Sequence, residues 1–461
     1  MPDFDTTVVG AGPNGLSAAV ELARAGRSVL VVEAEDAIGG GARTEELTLP
    51  GFRHDICSAI HPTGVASPFF ERIGLNVDWV HAPVPFSHPL DGGRSVALFR
   101  SIEETASQFG RDRGSYLGLM TPLVMAVDDV IEDFLSPMTL VPEHFATFAR
   151  MATLGALPAS VLVRRFQGVA ARSLLAGLLA HAIAPFNRPA TAGVGLLLGV
   201  LGHALGWPMP RGGSRAITDD LAAKLQDLGG RIETGRVVIS LEELPGRQFF
   251  LDLMPPAAFR VSRSRLGRVS RPPRRWRPGP GVFKVDWALD GPVPWADELS
   301  AGAATVHLGG SYDEVESAER AVAAGRHPER PFVLFAQQSR FDSTRSPAGT
   351  HTGWAYCHVP NGSDVDMTEA IERQVERFAP GFRDLILARH TINATQYQAH
   401  NANLVGGDIG GGRYSLGKVL QLGRRRPYSW GKGIFICSSA TPPGAGVHGL
   451  CGYFAARAAL G

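Results

Sequence analysis

The sequence predicts an α/β fold: a parallel, Rossmann-type sheet with an inserted α+β domain and a helical cap. Three observations predict it. The chain opens with an apolar run, Thr7-Val8-Val9, that enters a glycine turn and then a helical stretch from Leu16 to Ala25. A second apolar run, Ser28–Glu33, closes on an acid. A further strand, glycine turn and helix, from Gly433 to Leu460, occupy the far end of the chain.

The opening unit explains itself residue by residue. Gly10-Ala11-Gly12-Pro13-Asn14-Gly15 is a G-x-G-x-x-G turn between strand and helix. Gly10 permits the tight turn, Gly12 admits a pyrophosphate against the backbone, and Gly15 lets helix and strand pack closely. Pro13 and Asn14 stand at the helix start, whose free N–H groups and partial positive charge suit phosphate. Glu33 lies 18 residues beyond Gly15 at the tip of the second strand. A carboxylate there, with Ala34 beside it, can accept hydrogen bonds from both ribose hydroxyls. A lone glycine motif means little in a chain with 55 glycines, but here strand, helix and acid agree.

Composition narrows the class. The 461 residues can bury a large core and suggest two or three units. Forty-five basic and 44 acidic residues leave a net charge of +1, with no general drive toward nucleic acid. Cys57, Cys357, Cys437 and Cys451 are widely spaced and never form C-x-x-C, which indicates neither a zinc site nor a redox dithiol. The longest apolar stretch, Ala190 to Leu205, falls short of the ~20 residues a spanning helix needs. These features lead us to expect a soluble, cytoplasmic protein, with peripheral membrane contact left open.

Directly after Glu33 comes Ile38-Gly39-Gly40-Gly41-Ala42-Arg43-Thr44. At this point the chain resembles the FAD-dependent oxidoreductases of the phytoene desaturase and flavin amine oxidase superfamily, whose long fingerprint runs from the glycine turn through the ribose acid to such a segment. The resemblance implies FAD as cofactor, with Gly40, Gly41, Ala42 and Arg43 along its pyrophosphate and ribityl chain. Disulfide reductases share the first fingerprint, but their cysteine pair is missing. Farther on, Phe52–Pro62 matches a segment near the flavin in desaturase-like proteins, with Cys57 where Gly is usual. His54 and His61 there read as proton-transfer groups or as hydrogen-bonded loop residues.

From Ser101 to about Leu205 the chain reads as helices broken by prolines; the spacing Leu117-Leu119-Met120-Leu123-Val124-Val127-Ile131 predicts one apolar helix face. Such a cap suits an apolar small-molecule substrate, although an ordinary helical core has the same periodicity. Leu221, Leu225 and Leu228 predict a helix with Thr218 as its cap and Gly229-Gly230 as its stop. Arg231–Ser240 then reads as a strand, and the resemblance brings Val237 or Val238 near the adenine. Arg260–Arg277 holds eight arginines and no acid, a solvated connector or a patch for anionic lipid or an acidic substrate.

Gly281–Leu289 alternates sharply and puts Lys284 and Asp286 on one strand face, as an ion pair or with Lys284 near the flavin. Further strands are expected at 304–308, 332–337 and 353–359, with a helix over 368–378. Tyr397–Gly412 packs glycines among amides and an acid; it resembles a segment of bacterial phytoene-dehydrogenase-like proteins, with His400 and Asp408 as candidate catalytic contacts beside His61. The second glycine pattern holds Gly446, Val447 and His448, and the resemblance points the helix after it at the isoalloxazine. Only 12 residues follow Gly449, too few for a second dinucleotide unit.

The expected organisation is a nucleotide domain from 1–80, 206–258 and 386–461, a helical cap at 81–205 and a mixed-sheet domain at 259–385. The resemblance covers nearly the whole chain, with specific motifs at 4–44, 211–240 and 433–460. It implies hydride transfer from a C–H bond of an apolar substrate to flavin. A polyene isomerase, an amine oxidase and a non-catalytic flavoprotein scaffold are the alternatives.

Overall fold

The computed structural model describes residues 4–137, 142–266, 276–415 and 427–461. The Arg-rich stretch lies partly outside them, at 267–275.

The first sheet has six strands in the order Ser429–Gly431, Ile434–Ile436, Gln248–Leu251, Thr6–Val9, Val29–Val32, Arg231–Glu233. All its pairings are parallel except that of the Ser429–Gly431 edge. Strands buried on both faces read as continuous apolar runs, which is why these segments do not alternate. Val8, Val31 and Phe250 face the helices Pro13–Arg24, Arg215–Asp227 and Leu450–Leu460. Val9, Val32, Phe249 and Leu251 face the opposite layer, where Ala258 and Val261 of the helix Pro255–Leu266 pack. Gly15 could carry no side chain, since a Cβ there would lie 2.0 Å from the Gly10 carbonyl oxygen.

The second sheet has seven strands, in the order Ile386–Ile392, Gly281–Leu289, His351–Val359, Val333–Ala336, Ala303–Leu308, Val84–Leu90, Arg94–Leu98. The strands expected at 304–308, 332–337 and 353–359 are present. Phe283, Val285 and Trp287 pack one face against Ile371, Val375 and Phe378 of the helix Thr368–Phe378. The register sets the other face in two rows. Lys284, Tyr356, Leu334 and His307 align across four strands, and so do Asp286, Trp354, Ala336 and Thr305.

Several expectations shift. The hairpin Val84–Leu98 falls in the stretch read as cap but joins the second sheet, and Ile386–Ile392, read as part of the nucleotide domain, joins that sheet too. The face read through 117–131 breaks at Met125-Ala126 into Arg113–Val124 and Val127–Phe134; helix axes there bend by 68°. Thr218 is no cap: the helix starts at Arg215 after Ser214, and the Thr218 hydroxyl donates to the Arg215 carbonyl at 3.1 Å. The strand read over Arg231–Ser240 ends at Glu233. Among the described residues no single helix is long and apolar enough to cross a membrane.

Candidate functional site

A cavity of about 1240 Å³ begins at the carboxyl ends of the first sheet and continues between the second sheet and the cap. Open α/β sheets bind ligands at the carboxyl ends of their strands. Here the two glycine-rich turns meet: the Gly39 amide donates to the Ala11 carbonyl at 3.0 Å. Glu33 is braced from both sides, accepting from the Ala11 amide at 2.7 Å and from the Glu35 amide at 3.0 Å. These bonds aim its carboxylate along the cavity edge. Gly12, Pro13, Asn14, Ala34, Gly40, Gly41 and Arg43 line the same end. Ala42 is buried behind them in the core, and its amide donates to Gly39.

Arg43 is buried, yet it sits in a wall. Its Nη2 donates to the His400 carbonyl at 3.0 Å and lies against the His400 ring. Among the described residues its Nε has no partner, and neither does Asn14 Oδ1. Val237, Val238 and Ile239 also line the cavity, in the turn after Glu233 rather than in a strand. Val237 and Ile239 remain 68% and 76% exposed, an apolar edge of the kind a flat ring covers.

The structure adds Asp252, which the sequence reading missed. It follows Gln248–Leu251 as Glu33 follows Val29–Val32, and an acid closing a buried strand beside the first one was the available signal. Its Oδ2 accepts the Gly15 amide at 3.0 Å inside the helix's first turn. Burial pushes its carboxyl up to about 7.

Gly446, Val447 and His448 line the cavity where the helix Leu450–Leu460 begins. His448 caps that helix, its Nδ1 accepting the Leu450 amide at 3.0 Å. Burial keeps it neutral, with its ionisation pushed down to about 4.

The three candidate catalytic groups do not converge. His61 lies outside the lining; its Nε2 donates to Ser214 Oγ at 2.8 Å, since that hydroxyl is already donating to the Ser58 carbonyl. His400 lines the cavity against Arg43, and burial with that cation beside it pushes its ionisation down to about 4. Asp408 lines it too, but its carboxylate is taken up by the amides of Gly279, Gly410 and Gly412 at 2.7, 2.7 and 2.8 Å. Lys284 is fully buried and donates to Asp286, which also faces His54 and His390. The alternating strand thus holds an enclosed ion pair. Among the described residues none of the four cysteines forms a disulfide.

Beyond this end the wall turns apolar. Leu334 and Trp354 come from the second sheet, and Met151, Val194, Leu197 and Leu198 from the cap.

The NAD(P)-binding Rossmann-like domain family matches residues 8–73. A mouse protein named pyridine nucleotide-disulfide oxidoreductase domain-containing protein 2 is 26% identical, covering 99% of this chain and 93% of its own. Phytoene dehydrogenase from Streptomyces griseus is 26% identical over 84% of this chain and 78% of its own. The crystal structure of an oxidoreductase from Methanosarcina mazei shares the fold, with a TM-score of 0.66 and 17% identity, covering 98% of this chain and 99% of that one. With the Gly10–Gly15 turn, the Glu33 carboxylate and an apolar chamber on one cavity, the chain is an oxidoreductase with a Rossmann-like dinucleotide-binding domain, similar along most of its length to phytoene dehydrogenase.

Proposed function

We propose that the protein binds FAD and oxidises a C–H bond of an apolar substrate, with hydride passing to the flavin. The observation that carries this reading is the continuity of one cavity from Glu33 to the apolar wall of Leu334 and Trp354. The residues fit FAD. A Cβ on Gly40 would stand 3.0 Å from the Cα of Gly12, so only bare glycine backbone lets the two turns approach this closely at the cavity end that both line. Arg43 Nε and Asn14 Oδ1, which have no partner among the described residues, supply a donor and an acceptor in that wall.

Bound there, FAD supplies a two-electron acceptor in a flat ring. The chain's own residues do the rest. Glu33 has lone pairs left for ribose hydroxyls, and at the start of the helix Pro13–Arg24 the Asn14 amide is the group offered to phosphate, since Pro13 has no N–H and Asp252 holds the Gly15 amide. Arg43 neutralises charge beside it. The start of Leu450–Leu460 favours negative charge near Gly446–His448. Leu334, Trp354 and the cap side chains orient an apolar molecule and keep water out.

The charge pattern of the wall favours this reading over an amine oxidase. A cationic amine needs a carboxylate partner. Among the described residues, the acids lining the cavity are Glu33, Glu35, Asp252 and Asp408. The first three belong to the nucleotide end, and Asp408 is held by backbone amides.

The test is anaerobic mixing of the FAD-loaded protein with apolar C–H donors and with short hydrophilic amines, followed by flavin absorbance. Bleaching by the apolar compounds is expected. Bleaching by amines alone overturns the reading, consumption of substrate without net bleaching identifies an isomerase, and no response to either marks a scaffold.

A further inference from the structure

One polar device in the apolar chamber has no part in holding a dinucleotide. His181 follows the helix Val169–Ala180 and lines the cavity. Its Nε2 meets His307 Nε2 at 3.4 Å, and among the described residues it has no other hydrogen-bond partner. His307 is fully buried, stacked on Phe86 at 4.5 Å between ring centroids and flanked by Trp207 and Phe332. Behind it His88 is buried too, donating from Nε2 to the Gly310 carbonyl at 2.7 Å. The Nδ1 atoms of His88 and His307 have no partner among the described residues. Both crowd Gly177, where a Cβ would lie 2.5 Å from His307 Nδ1 and 3.0 Å from His88 Nδ1.

Three imidazoles in an apolar core is an arrangement that packing alone would not favour, because each buried nitrogen needs a partner. Burial keeps all three neutral, with His181 pushed down to about 3 and His88 to about 4. In the His181–His307 pair one Nε2 donates and the other accepts. Either tautomer leaves His181 Nδ1 unspent, as a lone pair or as an N–H. Tyr356 lies in the same row of the sheet as His307, separated from it by Leu334, and lines the cavity. Its hydroxyl also has no partner among the described residues.

A pure hydrocarbon filling this chamber would strand both groups away from water. A carboxylate or an ammonium would lack a counter-charge there. A neutral hydroxyl or carbonyl satisfies both conditions, and a hydroxyl can answer either tautomer of His181.

We propose that His181, backed by His307 and seconded by the Tyr356 hydroxyl, is a specificity-determining residue that hydrogen-bonds a neutral oxygen function, so that the substrate is an oxygenated apolar molecule, an alcohol or ketone, and not a hydrocarbon. This deepens the reading of the chamber as a substrate site and rests on it.

The probes are decane, decanol, methyl octyl ketone, decanoate and decylamine, titrated calorimetrically into the FAD-loaded protein, with flavin content read from absorbance. We expect decanol or the ketone to bind at least about tenfold tighter than the other three. His181→Leu should remove that preference, His181→Gln should restore part of it, and Tyr356→Phe should weaken it. In the wild type, the ring nitrogen signals of His181 in ¹⁵N spectra should move with decanol and stay with decane, a readout that needs no variant. Equal binding of decane and decanol, or an unchanged preference in a folded His181→Leu protein, overturns the proposal. A protein that shows the preference but retains no flavin supports it while overturning the cofactor reading.

Discussion

The Asp252 carboxylate accepts the Gly15 amide at 3.0 Å, joining the end of one sheet strand to the first turn of the dinucleotide helix. Burial pushes this carboxyl up to about 7; the Gly15 bond pulls the other way, and the charge of Glu33 adds to the rise. An acid whose folded value is raised binds its proton more tightly in the native state than in the unfolded chain. Its contribution to stability is therefore complete below about pH 4 and lost as the pH rises toward 7. At about 1.4 kcal/mol per pH unit the loss is on the order of 4 kcal/mol. Asp252→Asn keeps the shape and cannot ionise. Melting temperatures across this window should fall in the wild type relative to the variant; parallel curves would remove Asp252 as the cause.

Glu33 should set dinucleotide affinity. Glu33→Gln keeps much of the shape and removes the charge that strengthens hydrogen bonds to ribose. With charge-assisted bonds at about 1.5–3 kcal/mol, FAD binding should weaken by about ten- to a hundredfold. Fluorescence titration of the apoprotein measures this, and wild-type affinity in the variant would rule out the ribose assignment. Glu33→Ala should do more, since the Ala11 and Glu35 amides lose their acceptor as well.

Lys284 and Asp286 should behave as a structural pair. Lys284→Met leaves Asp286 buried with, among the described residues, only His54 and His390 facing it, and His54 is held neutral, its ionisation pushed down to about 4 by burial. Breaking a buried pair from one side costs about 3–5 kcal/mol. Denaturant midpoints should show a loss of that size. An unchanged midpoint together with an altered flavin spectrum would instead mark Lys284 as a cofactor contact.

Electrons should not enter from a nicotinamide. The six-stranded sheet presents one glycine turn with its ribose-type acid, and FAD is the proposed occupant. NADH and NADPH should therefore reduce the flavin slowly and without saturation, with oxygen or a quinone-like acceptor reoxidising it. Rapid bleaching that saturates at low NADPH, followed anaerobically by absorbance, would show the opposite.

Local chemistry explains what the sequence determined by itself. Thr6 to Thr44 is contiguous, so strand period, glycine turn and acid spacing all lie within one short window, and the parallel pairing of its two strands, Thr6 against Val29, follows from it. The alternation of Gly281–Leu289 likewise placed Lys284 beside Asp286, because side chains two apart share a strand face whatever surrounds them. The tertiary structure alone decided the rest. Val84–Leu90 reads poorly as a strand because Pro85 and Pro89 each lack an amide for the ladder, yet it pairs with Ala303–Leu308 from across the chain. Arg43 and His400, 357 positions apart, meet only through the folding of both sheets. Tyr356 reaches the row of His307 only through the pairing of three strands. Propensity acts over a few residues, whereas register between distant strands is set by which faces the whole molecule can bury.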